Sequence, residues 1–163
     1  MKESVLKDLQ ILAVDDEQDV LDLIREEVQD TCPDCRIHLA LTYQQAVDYL
    51  VSWTYDLVIL DIMGIRGFDL LEIAAARKLR VVMLTAHALT PEALKKSIEQ
   101  GARAYLPKEK LGEIVPFLED VLRYEALPAW RKLFQQLGDF FNKRFGPDWQ
   151  KKDQNFWKDY TEP

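Results

Sequence analysis

Five short apolar runs alternate with stretches of helical period, and this alternation constrains the fold more than any other feature of the chain. The runs are Leu9–Val14, Arg36–Leu41, Asp56–Leu60, Arg80–Leu84 and Ala102–Leu106. Each is five or six residues long, the length of a strand rather than a helix. Segments such as LVIL and VVML are apolar on both faces, which suits strands covered on both sides in a parallel sheet.

The stretches between them read as helices. Val20, Leu21, Ile24 and Val28 share one face; Ala46, Tyr49 and Leu50 share another, with Thr42 placed to cap it. Leu70, Leu71, Ile73, Ala74 and Ala75 form a third face. A fourth helix opens at Thr90-Pro91, cap then first-turn proline, and stops at Gly101. Ile114, Val115, Leu118, Val121 and Leu122 mark a fifth. Five strand–helix repeats predict an α/β fold, a doubly wound five-stranded parallel sheet with helices on both faces. An eight-fold barrel needs about 200 residues or more and is excluded.

Composition narrows the class. At 48% hydrophobic and 30% charged, the chain can bury a core and is not disordered by default. It has no run of about 18 apolar residues, which argues against a membrane span, and MKESVLKDLQ is too polar for a secretory signal, so the cytoplasm is expected. A net charge of −7 argues against nucleic acid, whose binding rests on neutralising phosphates. Cys32 and Cys35 form a CPDC segment. Pro33 and Asp34 favour a plain turn there; redox sensing or half of a shared metal site is the alternative.

After Tyr124 the chain changes character. More than half of its aromatic residues fall in the last 40 positions. Leu127-Pro128 is expected to break or kink the preceding helix. Trp130, Phe134, Leu137, Phe141 and Phe145 then recur at helical steps, Gly146-Pro147 signals a stop, and Asp148 is expected to cap a last helix carrying Trp149, Phe156 and Tyr160. Residues 1–124 and 125–163 thus read as a domain and a helical extension. Something must cover the aromatic stripe: its own domain, a second copy in a homodimer, or a partner.

In an open α/β sheet, ligands bind beyond the carboxyl ends of the strands. Just past the first run stand Asp15, Asp16 and Glu17; past the third, Asp61; past the fourth, Thr85; past the fifth, Lys108. One acid at a strand end is ordinary, but the joint set is not. Clustered carboxylates need a cation, and an oxygen-only site suits Mg²⁺. A carboxylate beside that ion can attack phosphorus to give an acyl phosphate, while the lysine and the threonine hydroxyl serve the phosphoryl oxygens.

On these residues the chain resembles the response-regulator receiver domain of two-component signalling. The resemblance rests on VDDEQDVL at Val14–Leu21, LVILDIM at Leu57–Met63, VVMLTAHA at Val81–Ala88 and GARAYLPK at Gly101–Lys108. It implies the flavodoxin-like strand order 2-1-3-4-5. It further implies that Asp61 is the phosphoacceptor, that Asp15, Asp16, Asp61 and the backbone carbonyl of Met63 hold Mg²⁺, and that Thr85 and Lys108 attend the phosphoryl group. Tyr105 matches the aromatic residue that turns inward as Thr85 moves. The implied activity is a switch, not a turnover enzyme, though it assists its own phosphorylation and dephosphorylation. A histidine kinase or phosphotransfer protein would be the donor, and a downstream protein partner would read the face of the fourth helix, fifth strand and fifth helix.

Two departures bear on this. Ile65 and Glu109 stand where the family often has proline, and with Glu109 a trans bond is expected after Lys108. Gly64 and Gly67 are expected to take positive φ in the loop after Asp61. These departures leave a phosphorylation-independent binding scaffold as the alternative. A small flavodoxin-like or phosphatase-type enzyme is disfavoured, because no glycine-rich loop follows the first strand. Met63 and His87 lie where the family's dephosphorylation rate is tuned; an apolar Met63 cannot orient water, which predicts a long-lived acyl phosphate. His38, inside an apolar strand, reads as a hydrogen-bonded core or edge residue.

Overall fold

A computed structural model of the chain describes residues 5–86 and 90–161, so the expectation for His87 lies outside the described residues. Strands and helices alternate in the order β1 (Gln10–Val14), α1 (Gln18–Thr31), β2 (Arg36–Ala40), α2 (Tyr43–Ser52), β3 (Leu57–Asp61), α3 (Gly67–Ala76), β4 (Val81–Thr85), α4 (Pro91–Glu99), β5 (Ala104–Pro107) and α5 (Ile114–Arg123). Two further helices follow, α6 (Ala126–Phe145) and α7 (Gln154–Thr161). The five strands form one parallel sheet in the order β2-β1-β3-β4-β5. This is the doubly wound, flavodoxin-like arrangement the sequence pattern calls for.

The local chemistry explains the element ends. Thr42 and Thr90 cap α2 and α4 by accepting from the backbone N–H of Gln45 and Ala93, each at 3.1 Å. Gly101 adopts φ +97 after α4, where a side chain would be strained. β5 begins two residues later than its apolar run because the Ala102 N–H is spent on the Ser97 carbonyl. β3 and β4 are buried throughout, as a central parallel pair must be. At the β2 edge, His38 is half-buried; its Nδ1 lies 2.7 Å from the Tyr55 hydroxyl and its ring stacks on Tyr49.

Four expectations need correction. Cys32 and Cys35 do flank the turn between α1 and β2, but their sulfurs are bonded to each other, so neither is left as a metal ligand. α5 ends at Arg123, and Pro128 sits in the first turn of α6, where a missing N–H breaks no helix bond. Gly146, at φ +93, does end α6, but Asp148 caps no helix: a turn and a 3-10 segment over Lys151–Asp153 intervene before α7. Gly67 opens α3 without positive φ; Gly64 (φ +82) and Arg66 (φ +57) carry the left-handed turns. Among the described residues no peptide bond is cis.

The aromatic stripe of α6 is covered within the chain. Phe134 packs with Trp130, Phe141, Trp149, Trp157 and Tyr160. Trp130 is fully buried, and its Nε1–H donates to the Ala102 carbonyl at 3.0 Å beside β5. β5 is therefore an edge strand whose four residues are all buried. Each large apolar side chain sealed this way contributes about 1.5–3 kcal/mol over leaving it in water.

Candidate functional site

The register of the sheet aligns the ends of β1, β3, β4 and β5. Val14 pairs with Leu60, Asp61 with Leu84, and Thr85 with Pro107. Asp15 and Asp16 follow β1, Asp61 and Thr85 are the last residues of β3 and β4, and Lys108 follows β5. These positions bring Asp15, Asp16, Asp61 and Lys108 into one cluster. One carboxylate oxygen from each aspartate lies within 4.8 Å of the others. Lys108 Nζ stands 2.8 Å from Asp15 Oδ2 and 3.3 Å from Asp61 Oδ1.

Glu17 belongs to the cluster too. Its Oε1 lies 3.2 Å from Lys108 Nζ, and its backbone N–H donates to Asp15 Oδ1 at 2.9 Å. The sequence places Glu17 on the rim, but nothing in the spacing reveals a pairing across 91 positions.

Burial differs among the acids. Asp15 and Asp61 are buried, whereas Asp16 is exposed at the mouth. Gly64 makes room for it: a Cβ at that position would come 2.6 Å from Asp16 Oδ2. A Cβ on Gly67 would collide with the Asp61 carbonyl oxygen, so the loop after β3 depends on both glycines.

The electrostatics follow from burial and repulsion. Desolvation, then the negative charge of Asp15, pushes the Asp61 carboxyl up to about 7, against the opposing pull of Lys108. Burial also raises Asp15, with Lys108 and the Glu17 N–H working against the rise. Burial disfavours the Lys108 ammonium, but Asp15, Asp61 and Glu17 outweigh it and hold the lysine firmly protonated.

Three aspartates and a glutamate face one ammonium, so the cluster is short of positive charge. All the carboxylate donors are oxygens, two of them are buried, and the exposed side leaves space for retained water. This donor set fits a hard divalent cation such as Mg²⁺.

Behind the cluster, Thr85 and Tyr105 are buried. The Tyr105 hydroxyl lies beside Thr85 and the Thr90 backbone, and burial raises its pKa. Neither hydroxyl makes a well-formed side-chain hydrogen bond among the described residues. Met63 is 56% exposed in the loop after Asp61, with its thioether arm on the surface.

Solved structures share this architecture. The receiver domain of NtrX from Brucella abortus is 29% identical, with 71% of this chain and 99% of that one covered at a TM-score of 0.61. DrrB from Thermotoga maritima, an OmpR/PhoB homolog, is 23% identical with a TM-score of 0.61. That alignment covers 70% of this chain and 52% of DrrB, so the chain matches about half of DrrB's length. A CheY-like receiver domain protein from Methanospirillum hungatei is 24% identical, covers 69% of this chain and 94% of its own, and has a TM-score of 0.58. No curated protein matches the sequence. The family model of the response regulator receiver domain matches residues 11–118, well over half of the chain, and the chain belongs to that family.

Proposed function

We propose that the chain is a phosphorylation-controlled signalling switch in which Asp61 accepts a phosphoryl group from a histidine kinase or phosphotransfer protein. Receiver domains of two-component response regulators serve signalling and are not turnover enzymes. The observation that carries the finer reading is the meeting of Asp61, Asp15, Asp16 and Lys108 at the ends of three strands.

In this reading an Asp61 oxygen forms a bond to phosphorus as the phosphorus–nitrogen bond of the donor breaks. The donor imidazole leaves with the bonding pair and is protonated by solvent. Asp15, Asp16, Asp61 and the Met63 carbonyl would hold Mg²⁺, which when bound offsets charge on the phosphoryl oxygens. Lys108 supplies a second positive charge, and its contact with Asp61 predisposes it to pair with the product. Thr85 donates its hydroxyl to a phosphoryl oxygen, and Tyr105 follows it. Only a difference in partner affinity between the two states can pass the signal on.

The division into a receiver over residues 1–124 and an extension over 125–163 belongs to the same proposal, as does a cytoplasmic setting. No helix among the described residues is long and apolar enough to cross a membrane.

Incubation with Mg²⁺ and acetyl phosphate, followed by intact-mass measurement, tests the reading. A phosphate-sized gain that disappears in Asp61→Asn is expected. The DrrB receiver domain has been solved in a BeF3-activated form, so beryllofluoride offers a second probe of the same carboxylate. No gain with either phosphodonor or kinase would leave the phosphorylation-independent scaffold instead.

A further inference from the structure

The two edges of the sheet differ. At β5, α6 lies alongside and Trp130 seals the strand. At β2, no strand pairs with the outer side among the described residues.

The backbone groups on that outer side follow from the pairing on the inner one. The Arg36 N–H donates to the Leu9 carbonyl at 2.8 Å, and the Ala40 carbonyl accepts from the Asp15 N–H at 3.1 Å. Residues 36 and 40 therefore turn their polar groups toward β1. Strand residues alternate, so His38 does the same, while Ile37 and Leu39 turn theirs outward. Two donors and two acceptors thus line the open edge, symmetrically about His38.

Folded chains usually blunt such an edge with charge, proline or a bulge. Here RIHLA has one arginine at its first residue, no acid, no proline and an unbroken register with β1. One face of the strand carries Ile37 and Leu39, both half-buried. On the other face, His38 stacks on Tyr49 of α2 and meets the Trp53 ring edge-on at 5.0 Å. Trp53 is 46% exposed, and Val51 is exposed beside it in sequence. Apolar side chains in water next to open backbone groups mark a surface that a partner covers.

We propose that the outer edge of β2 is a homodimer interface. A second copy of this chain adds its own β2 antiparallel, about a two-fold axis at His38, and joins the two five-stranded sheets into one. With His38 facing His38, Ile37 falls opposite Leu39 of the copy, and each of the two such pairs exchanges two N–H···O bonds. This register alone pairs all four outward groups of each copy.

Charge favours a copy over a foreign strand. The net charge of −7 opposes self-association in general, but β2 holds no acid. The same register sets Arg36 of the copy opposite Ala40, two strand spacings or about 10 Å from Asp15. That is the end of the sheet where three aspartates and Glu17 face one ammonium.

Sedimentation velocity of the full chain from about 1 μM to about 100 μM tests this. A concentration-dependent dimer is expected. Leu39→Lys adds the edge charge that β2 lacks, and Ile37→Pro removes an outward N–H without touching the ladder to β1. Each should weaken association about tenfold or more. Unchanged circular dichroism verifies that the variants are folded. In His38→Cys the two introduced sulfurs fall in a pair whose Cα atoms are about 4.5 Å apart, within disulfide reach. Glutathione disulfide should therefore link the copies through the tryptic peptide that starts at Ile37. A chain that stays monomeric throughout overturns the proposal. So does a dimer indifferent to both substitutions, or one that His38→Cys does not link through that peptide. None of these outcomes bears on Asp61 as phosphoacceptor.

Discussion

Lys108 Nζ lies 3.3 Å from Asp61 Oδ1, with only 12% of the lysine side chain exposed. It is the positive group found between Asp61 and Asp15, so removing it leaves buried carboxylates facing one another. Lys108→Ala should therefore destabilise the metal-free protein by on the order of 2 kcal/mol at pH 8. The loss should shrink at pH 5, where the carboxylates can take up protons instead. Urea unfolding at the two pH values checks this; equal losses would mean the ammonium does not offset that repulsion.

Asp61 itself makes stability depend on pH. Its folded pKa of about 7 lies above its ordinary value of 3.8 because burial and Asp15 disfavour the charge. Between these values the folded chain binds more protons than the unfolded chain, so metal-free stability falls as pH rises through this window. Asp15 is raised for the same first reason and adds to the slope. Asp61→Asn should flatten the slope and stabilise the metal-free protein at pH 8 by on the order of 2 kcal/mol. Chelator-treated protein unfolded in urea from pH 4 to pH 8 gives the measurement. A wild-type curve that climbs with pH in this range would contradict the assignment.

Gly64 is required by Asp16 rather than by its turn alone. It holds φ +82, and a methyl group there would press on Asp16 Oδ2. Gly64→Ala should displace the exposed acid and weaken Mg²⁺ binding by about tenfold or more, the usual effect of disturbing a ligand's support. Titration calorimetry of variant and wild type would show it, and equal affinities would remove Asp16 from the site.

Trp130 pins the extension. It is fully buried and its indole N–H is satisfied by Ala102. Trp130→Ala should cost about 3–5 kcal/mol, from lost burial and a cavity beside β5. Urea unfolding followed by far-ultraviolet circular dichroism measures the loss. A change under 1 kcal/mol would mean α6 contributes little to holding the sheet edge.

The rim was legible in the sequence because strand ends are fixed by where apolar runs stop. Asp61 closes LVIL, Thr85 closes VVML, and a parallel sheet must bring those ends side by side. What stayed hidden depends on contacts between distant positions. Glu17 reaches Lys108 across 91 residues, and Asp153 reaches Lys95 across 58. The aromatic stripe announced that something must cover it, but not that its own sheet edge and last helix would. The CPDC spacing is equally compatible with an open turn and a closed one, so the Cys32–Cys35 bond could not be read from it. The role of Gly67 is not legible in the sequence, because a glycine needed for close backbone approach looks there like one needed for positive φ.

If Asp61 is phosphorylated as proposed, Met63 is expected, through its side chain, to set the lifetime of that state. It stands two residues past Asp61 with its side chain on the surface, and a thioether is too weak an acceptor to hold an attacking water in line with phosphorus. Hydrolysis of an acyl phosphate on Asp61 would then proceed without that assistance, and a long lifetime is expected. Met63→Asn supplies an amide that can hold the water; one such hydrogen bond, worth about 1 kcal/mol, corresponds to about a fivefold faster decay. The decay is followed by intact mass after the phosphodonor is removed, with Mg²⁺ kept constant. Because Asn leaves the backbone carbonyl in place, Mg²⁺ affinity should not change, which separates a rate effect from a binding effect. If Met63→Asn decays at the wild-type rate while binding Mg²⁺ equally well, the side chain at this position does not govern the lifetime.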